Sequence, residues 1–184
     1  MVNGQIPIHF MKQFLDDIFM IFFGSISQLH QFFDEINVHP TMKFTMTHTT
    51  PKLLSDQEKE CSCERIEAIP FLDTLCELKE GPIRTDLYRK PTDRNQYLLP
   101  SSCHPSECIS SIPFSLCMRI TRICSEILAR EKRYPELKYM LLAREYTPGI
   151  IDAAIARARA IAREKALKCI LRQETNNRSV ARNQ

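Results

Sequence analysis

Two adjacent carboxylates near the start of the chain could bind a divalent cation. Asp16 and Asp17 follow Phe14 and Leu15 and precede six consecutive apolar residues, 18–23. Such a run, rich in β-branched and aromatic side chains, predicts a buried strand. Carboxylates are unfavourable inside a buried strand unless their charge is balanced. We therefore predict a hairpin with a two-residue Asp-Asp turn, which is either solvated or binds a divalent cation such as Mg²⁺.

The segments that follow this hairpin predict further small α and β elements. Ser25 or Ser27 can cap a helix that ends near Asn37. Residues 42–47 alternate and are rich in β-formers, which predicts a strand. Residues 48–66 are polar and predict a loop. Residues 69–78 and 83–88 predict two strands joined by a turn at 79–82, which contains Gly-Pro.

Beyond residue 100 the pattern becomes helical. We predict a first helix capped by Ser110 or Ser111, with Pro113 near its first turn. A second helix is predicted over residues 126–144, with a kink or break at Pro135.

A third helix should begin with Thr147 as its cap and Pro148 as its first residue. The sequence thus predicts an α+β fold, with one domain over residues 1–100, a three-helix domain over 101–172 and a frayed tail over 173–184.

Charge is distributed unevenly along the chain. The net charge is only +3, but residues 1–80 hold 6 Lys/Arg and 12 Asp/Glu, whereas residues 81–184 hold 19 and 10. A basic second half suggests a polyanionic partner, although a solvated helical surface would give the same composition. No apolar run approaches a membrane span, and the start lacks the pattern of a signal peptide. We therefore expect an intracellular protein, the nucleus included, whose eight Cys are reduced thiols.

Basic residues near aromatic ones are candidates for nucleic-acid contact. Such a combination suits phosphate binding together with base stacking, although a charged surface loop is the alternative. The three helices, the last of them basic, resemble a helix-turn-helix module or a polymerase thumb. The candidate nucleic-acid-binding residues are Arg89, Lys90, Arg94, Arg119, Arg122, Arg157 and Arg159.

Several short motifs occur in the same order as in one known protein family. The stretch 14–17 followed by an apolar strand, then 69–74, 85–93 and 97–105, resembles the later part of the reverse transcriptases of Penelope-like retroelements, over roughly residues 10–165. The resemblance implies a partial polymerase palm that descends from an RNA-directed DNA polymerase. It also implies Mg²⁺ or Mn²⁺ bound by Asp16 and Asp17, Asp16 being the more important ligand, and an RNA or DNA duplex or template–primer as partner.

The sequence departs from this family in ways that affect the expected activity. A palm needs a further carboxylate and a fingers region ahead of the Asp-Asp hairpin, and none of the 15 residues before Asp16 is acidic. The Gly-Ile-Tyr type nuclease expected after residue 170 has no counterpart. We therefore expect the Asp pair to be vestigial and the chain to lack polymerase activity alone. The alternatives are a nucleic-acid-binding helix-turn-helix module with a vestigial palm, or a non-functional remnant.

A zinc site is a further hypothesis. Cys61 and Cys63 could combine with Cys103 and Cys108, beside His104, to give four ligands. The Cys-x-Cys spacing is shorter than in the usual zinc fingers, so the pattern is weak.

Overall fold

The computed structural model describes residues 8–49, 67–78 and 82–168, together with the backbone of 64–65. The chain divides between residues 83 and 84 into two compact units. Short strands and one helix make up the described part of the first unit, and helices dominate the second. The predicted α+β fold class is therefore confirmed. Among the described residues, no helix combines the length and hydropathy that a membrane span requires.

The first hairpin places its turn one residue earlier than the sequence suggested. Strands β1 (Ile8–Phe14) and β2 (Asp17–Phe22) are antiparallel, and Phe14 lies opposite Asp17. The turn is therefore Leu15-Asp16, and the predicted Asp-Asp turn is wrong. Leu15 has a φ of 52°, as the first central residue of a type II′ turn requires. The Gln13 side-chain amide supports this turn by donating to the Leu15 carbonyl at 2.8 Å.

Helix α1 (Ile26–Ile36) begins and ends where the sequence predicted. Ser25 and Gln28 form a capping box, in which each side chain accepts a hydrogen bond from the other residue's amide. Asn37 caps the carboxyl end of the helix.

The strand predicted over residues 42–47 is wrong, because Asn37 satisfies the backbone there. Its side-chain amide donates to the Phe44 carbonyl, and its oxygen accepts from the Phe44 amide at 2.7 Å. Strand β3 is limited to Thr47–His48, which pairs in parallel with β4 (Glu64–Arg65).

A second hairpin occupies the run that the sequence predicted as one strand. Strands β5 (Ala68–Phe71) and β6 (Thr74–Glu77) are antiparallel and are joined by Leu72-Asp73, where Leu72 has a φ of 55°. The single strand predicted over 69–78 is therefore wrong, because a type II′ turn with leucine has no strong local signal. The predicted turn at 79–82 lies mostly outside the described residues.

The second unit begins with strand β7 (Arg84–Leu87) and continues with three packed helices. These are α2 (Ser106–Ile123), α3 (Ile127–Leu142) and α4 (Pro148–Arg159), followed by a helical stretch over 163–168. As predicted, α4 has Pro148 as its first residue and Thr147 at the N-cap position, but the Thr147 side chain makes no capping hydrogen bond.

The predicted start of α2 and the predicted break in α3 are wrong. Helix α2 starts at Ser106, because the Ser110 and Ser111 hydroxyls donate to carbonyls of the preceding turn instead of capping a helix. Pro113 therefore lies buried in the helix interior. Helix α3 is continuous through Pro135, so the predicted break is wrong, whereas the predicted kink stays a prediction. Tertiary packing of the inner face of α3 outweighs the lost backbone donor.

One apolar core holds the three helices together. The Tyr134 hydroxyl lies 3.0 Å from Thr121 Oγ1, so the largest polar group of this core is satisfied. Fully buried side chains come from each helix: Cys117 and Ile120 from α2, Leu137 and Leu141 from α3, and Ile151 and Ala158 from α4.

Neighbouring isoleucines on α4 provide a matched test of this core. Ile151 is fully buried, whereas Ile150 is 49% exposed. We expect Ile151→Ala to lower the free energy of unfolding by about 2–5 kcal/mol because it leaves a cavity. Ile150→Ala should lower it by about 0.5 kcal/mol or less. Urea unfolding followed by circular dichroism measures both, and equal effects would contradict this core.

Candidate nucleic-acid interface

A half-buried carboxylate fixes the start of the helical unit. Asp86 accepts two hydrogen bonds from Arg133 of α3, at 2.7 and 3.1 Å, and one from the Leu87 amide at 2.7 Å. The Cys124 thiol lies 3.2 Å from the same carboxylate. Burial alone would raise the pKa of Asp86, but the hydrogen bonds from Arg133, Cys124 and Leu87, with the Arg133 charge, bring it below its usual value.

Hydrogen bonds connect the segment between β7 and α2 to the helices. Arg89 donates to the Asn95 side chain at 2.5 Å and lies against Met140 of α3. Arg144 donates to the Tyr97 carbonyl at 2.8 Å, and the Tyr146 hydroxyl donates to the Leu98 carbonyl at 3.0 Å. Residues 88–98 are thus part of the helical unit rather than a linker beside it.

The connection from α3 to α4 is a tight and well-defined turn. The Tyr146 amide donates to the Leu141 carbonyl and the Glu145 amide to the Leu142 carbonyl, at 3.1 and 3.0 Å. Glu145 has a φ of 66°, so this is a Schellman motif with a left-handed residue. Tyr146 and Leu141 are both buried, which gives the motif its apolar contact. The turn therefore fixes the direction in which α4 leaves α3.

The two predicted arginines of α4 are held by neighbouring helices in different ways. The Arg157 guanidinium lies 4.1 Å from the centroid of the Phe114 ring on α2. Arg159 pairs with Glu131 of α3 at 2.5 and 3.1 Å and lies over the Tyr134 ring. The charge of Arg159 is balanced by Glu131, whereas stacking on a ring leaves the N–H groups of Arg157 available.

The other predicted basic residues also differ in availability. Lys90 and Arg94 are exposed on the segment before α2, and Arg119 is exposed on α2. Arg122 is half-buried, and its Nε is buried without a hydrogen-bond partner in the part of the chain that the structure describes. Its carbonyl accepts from Arg163 at 3.0 Å. The predicted set is therefore not one continuous array of free cations.

Comparison with known families finds one similarity, which lies in the helical unit. Residues 96–156 match the family model of the animal helix-turn-helix domain. No curated protein and no solved structure matches the chain. The matched segment covers about a third of the chain, includes α2, α3 and most of α4, and contains none of the first unit. No reverse transcriptase is among the matches.

The outer face of α4 carries few side chains that can donate hydrogen bonds. Within α4, which is described in full, the exposed residues besides the two arginines are apolar, small or acidic: Pro148, Gly149, Ile150, Asp152, Ala153 and Ala156. Asp152 pairs with Lys138 of α3 at 2.6 Å. Few donors are therefore available on this helix to read base edges.

The acidic hairpin belongs to the first unit. Asp16 lies in the turn and Asp17 is the first residue of β2, and both are exposed. Among the described residues, no group of three or more His, Cys, Asp or Glu is arranged to hold a metal ion.

The cysteines of the zinc hypothesis are only partly described. Cys61 and Cys63 lie outside the described residues, and Cys103 and Cys108 are exposed free thiols. Burial raises the pKa of Cys117 to about 11, so that thiol stays protonated in the core. Burial, with the nearby Asp86 carboxylate, raises the pKa of Cys124 to about 12.

Sequence reasoning missed the residues that assemble the helical unit. Asp86 lies in a strand-like run and Arg133 on a helix, and the two residues that share this hydrogen bond are 47 positions apart in the sequence. No local pattern connects them. A single Asp inside a β-rich run was the available signal, because such a carboxylate needs a partner when the strand is packed.

The Asp86–Arg133 pair predicts how unfolding depends on pH. A lowered pKa means that the pair stabilises the protein above the unfolded carboxyl pKa of about 3.9 and that this contribution is lost as the pH falls through the folded value. We expect Asp86→Asn to lower the free energy of unfolding by about 1–3 kcal/mol at pH 7. The difference from the unmodified protein should shrink below about pH 4.

Urea unfolding at pH 7 and at pH 3 measures this effect. The control is Glu126→Gln, which breaks the exposed pair with Arg84 and should change stability by about 1 kcal/mol or less. The charge of Asp86 would have no such role if the difference in unfolding free energy between Asp86→Asn and the unmodified protein stayed constant with pH.

Proposed function

We propose that residues 84–168 form a helix-turn-helix module that binds duplex DNA mainly through its phosphates. The observation that carries this proposal is the match of residues 96–156 to the animal helix-turn-helix domain, together with the common core of α2, α3 and α4. Helix-turn-helix proteins place one helix in the major groove while neighbouring elements contact the backbone. Such a module would act inside the cell, the nucleus included.

The contacts within the unit rank the candidate phosphate ligands. The charge of Arg159 is balanced by Glu131, so this residue contributes little attraction to a polyanion, whereas Arg89 keeps its charge but has a donor directed toward Asn95. Arg157 is oriented by Phe114 with its donors available. The candidate phosphate contacts are therefore Lys90, Arg94 and Arg157.

The chemistry of α4 supports a mode of binding with little base recognition. Its outer face carries small and apolar side chains and an acidic one, where base-reading helices carry Arg, Asn or Gln. Phosphate contacts position a protein but contain no sequence information. We therefore expect similar affinities for duplexes of unrelated sequence.

Removing two exposed cations tests the proposal. We expect the full chain to bind duplex DNA with an affinity that falls linearly with salt on logarithmic axes. Lys90→Ala with Arg94→Ala should weaken binding and reduce the steepness of that dependence by about 1.8, because about 0.9 is lost per phosphate contact. Fluorescence anisotropy over a salt series measures both quantities.

The control removes the same charge from the first unit. Lys12→Ala with Lys43→Ala should leave the salt dependence unchanged, since neither residue belongs to the helical unit. Equal losses in the two double variants would show a diffuse charge effect, and absence of binding at low salt would reject the proposal. An RNA–DNA hybrid in the same assay tests the alternative template–primer partner.

A second candidate function concerns the first unit. We propose that residues 8–49 and 67–78 derive from a reverse-transcriptase palm of the Penelope-like type, in which Asp16 and Asp17 bound Mg²⁺ or Mn²⁺. The observation that favours it is an exposed acidic pair at the tip of an antiparallel hairpin, followed directly by a helix. Two carboxylates are the usual protein contribution to a Mg²⁺ site that also contains substrate phosphates.

The matching turn of the second hairpin provides a control for this site. Asp73 follows Leu72 as Asp16 follows Leu15, but Thr74 replaces the second carboxylate. We expect Mn²⁺ to broaden the NMR amide signals of residues near Asp16 and Asp17 more than those near Asp73. Asp16→Asn with Asp17→Asn should abolish that broadening, and Asp73→Asn should not. Equal broadening at both tips would argue against a specific cation site.

A further inference from the structure

The carboxyl end of α2 carries a charged side chain that has no counter-ion. Arg122 lies in the last turn of α2 and is half-buried. Its Nε is buried, and no group in the part of the chain that the structure describes accepts a hydrogen bond from it. A guanidinium that is partly removed from water is unfavourable unless an anion or a set of acceptors compensates its charge. Arg122 therefore lacks the partner that its environment calls for.

The outer part of the Arg122 guanidinium is open to a ligand. Nε is the only nitrogen of this side chain that is both buried and unpartnered, so the terminal nitrogens face water. Among the described residues, no hydrogen bond or ion pair engages those nitrogens. Burial of Nε also limits the motion of the guanidinium, which reduces the entropy lost when an anion binds. A planar fork with free terminal donors suits a phosphate group.

A second arginine lies at the same end of α2. Arg163, in the helical stretch that follows α4, donates from its Nε to the Arg122 carbonyl at 3.0 Å. This bond satisfies one carbonyl of the last turn of α2 and holds the Arg163 side chain against the helix end. Within the described ranges, the terminal nitrogens of Arg163 make no hydrogen bond or ion pair. We call Arg122 and Arg163 the α2-end arginines.

Several cations elsewhere in the helical unit are neutralised by carboxylates. Each of the following ion pairs includes a residue of α3: Arg133–Asp86, Lys138–Asp152 and Arg159–Glu131. By contrast, the α2-end arginines form no ion pair with any residue that the structure describes. The carboxyl end of α2 therefore keeps positive charge that is balanced around α3, and it attracts a polyanion.

The helix dipole provides another explanation for the position of Arg122. A cation in the last turn of a helix is stabilised by the negative end of the dipole. The carbonyls nearest to it already have partners, since Arg163 donates to the Arg122 carbonyl and the Thr85 hydroxyl donates to the Ile123 carbonyl at 2.6 Å. A dipole role would make Arg122 stabilising in the free protein. A role in binding an anion would leave it neutral or unfavourable there, as is common for functional residues.

We propose that the α2-end arginines bind phosphates of the DNA duplex, beyond the contacts assigned to Lys90, Arg94 and Arg157. This inference rests on the proposed function and extends it to a second part of the helical unit. Arg157 stacks on Phe114, which is eight residues before Arg122 and hence about 12 Å from it along the axis of α2. A duplex carries one charge per about 1.7 Å of its axis, so a single duplex can contact both places.

The variant Arg122→Met separates DNA binding from stability. Methionine keeps an apolar side chain of similar length but removes the charge and the buried donor. We expect the full chain with this change to bind duplex DNA about tenfold more weakly. The steepness of the salt dependence should fall by about 0.9, as for one phosphate contact. The urea midpoint should stay the same or rise, because an unpartnered buried group is removed.

Fluorescence anisotropy over a salt series measures binding, and circular dichroism in urea measures the midpoint. The matched control is Arg130→Met, because Arg130 is also half-buried but donates to the carbonyls of Cys124 and Ser125. This control should lower the urea midpoint and leave the salt dependence unchanged. Arg163→Gln removes the second charge and keeps an amide that can donate to the Arg122 carbonyl. It should also reduce the steepness by about 0.9.

DNA binding that Arg122→Met or Arg163→Gln leaves unchanged would overturn the inference and leave the proposed function intact. A lower urea midpoint for Arg122→Met would overturn it in favour of the dipole role. An equal loss of steepness in Arg130→Met would overturn it by indicating a diffuse charge effect. If calorimetry showed that Arg122→Met abolishes binding of inorganic phosphate but not of DNA, the α2 end would be a site for a small anion instead. Failure of the unmodified chain to bind DNA would reject the proposed function, and this inference with it.

Discussion

One charged contact, the pairing of Asp86 with Arg133, fixes where the helical unit begins. A carboxylate that is partly removed from water requires hydrogen bonds in compensation, and Asp86 receives them from the Arg133 side chain, the Cys124 thiol and the Leu87 amide. These partners belong to β7, to the end of α2 and to α3, so the pair fixes three segments at once. The structural unit therefore begins near residue 84, upstream of the segment that matches the helix-turn-helix family.

The basic composition of the second half reflects internal bonding as much as surface charge. Arg130 donates to the carbonyls of Cys124 and Ser125, Arg144 to that of Tyr97, and Arg163 to that of Arg122. A guanidinium has five donors in a fixed geometry and suits the unpaired carbonyls at helix ends and in loops. The number of basic residues therefore overestimates the surface that can bind a polyanion. The exposed cations on the segment before α2 are accordingly better candidates for such binding than those of α4.

The sequence correctly predicted the features that depend on interactions between neighbouring residues. The capping box at Ser25, the Thr147-Pro148 start of α4 and the α+β class followed from the sequence because each depends on neighbouring residues. The incorrect or missed features depend on contacts between residues that are distant in the sequence. The strand over 42–47 is lost to a side chain seven residues from Phe44, and the Asp86–Arg133 pair spans 47 residues. For the candidate site, residue types predicted that Lys90 and Arg94 could be exposed, but only packing could show that Arg89 and Arg159 are engaged.

The backbone of the first hairpin positions Asp16 and Asp17 differently, as a comparison of the two hairpin turns indicates. Both turns place leucine in the left-handed region, which costs about 1 kcal/mol relative to glycine, so strand pairing rather than turn preference must hold them. Asp16 lies in that turn, whereas Asp17 is held in register opposite Phe14 by the β1–β2 ladder. A cation bound at this tip would therefore find Asp17 positioned in advance and Asp16 adjustable. Preorganisation would favour Asp17, whose backbone is fixed by strand pairing, whereas the reverse-transcriptase resemblance implies Asp16 as the more important ligand.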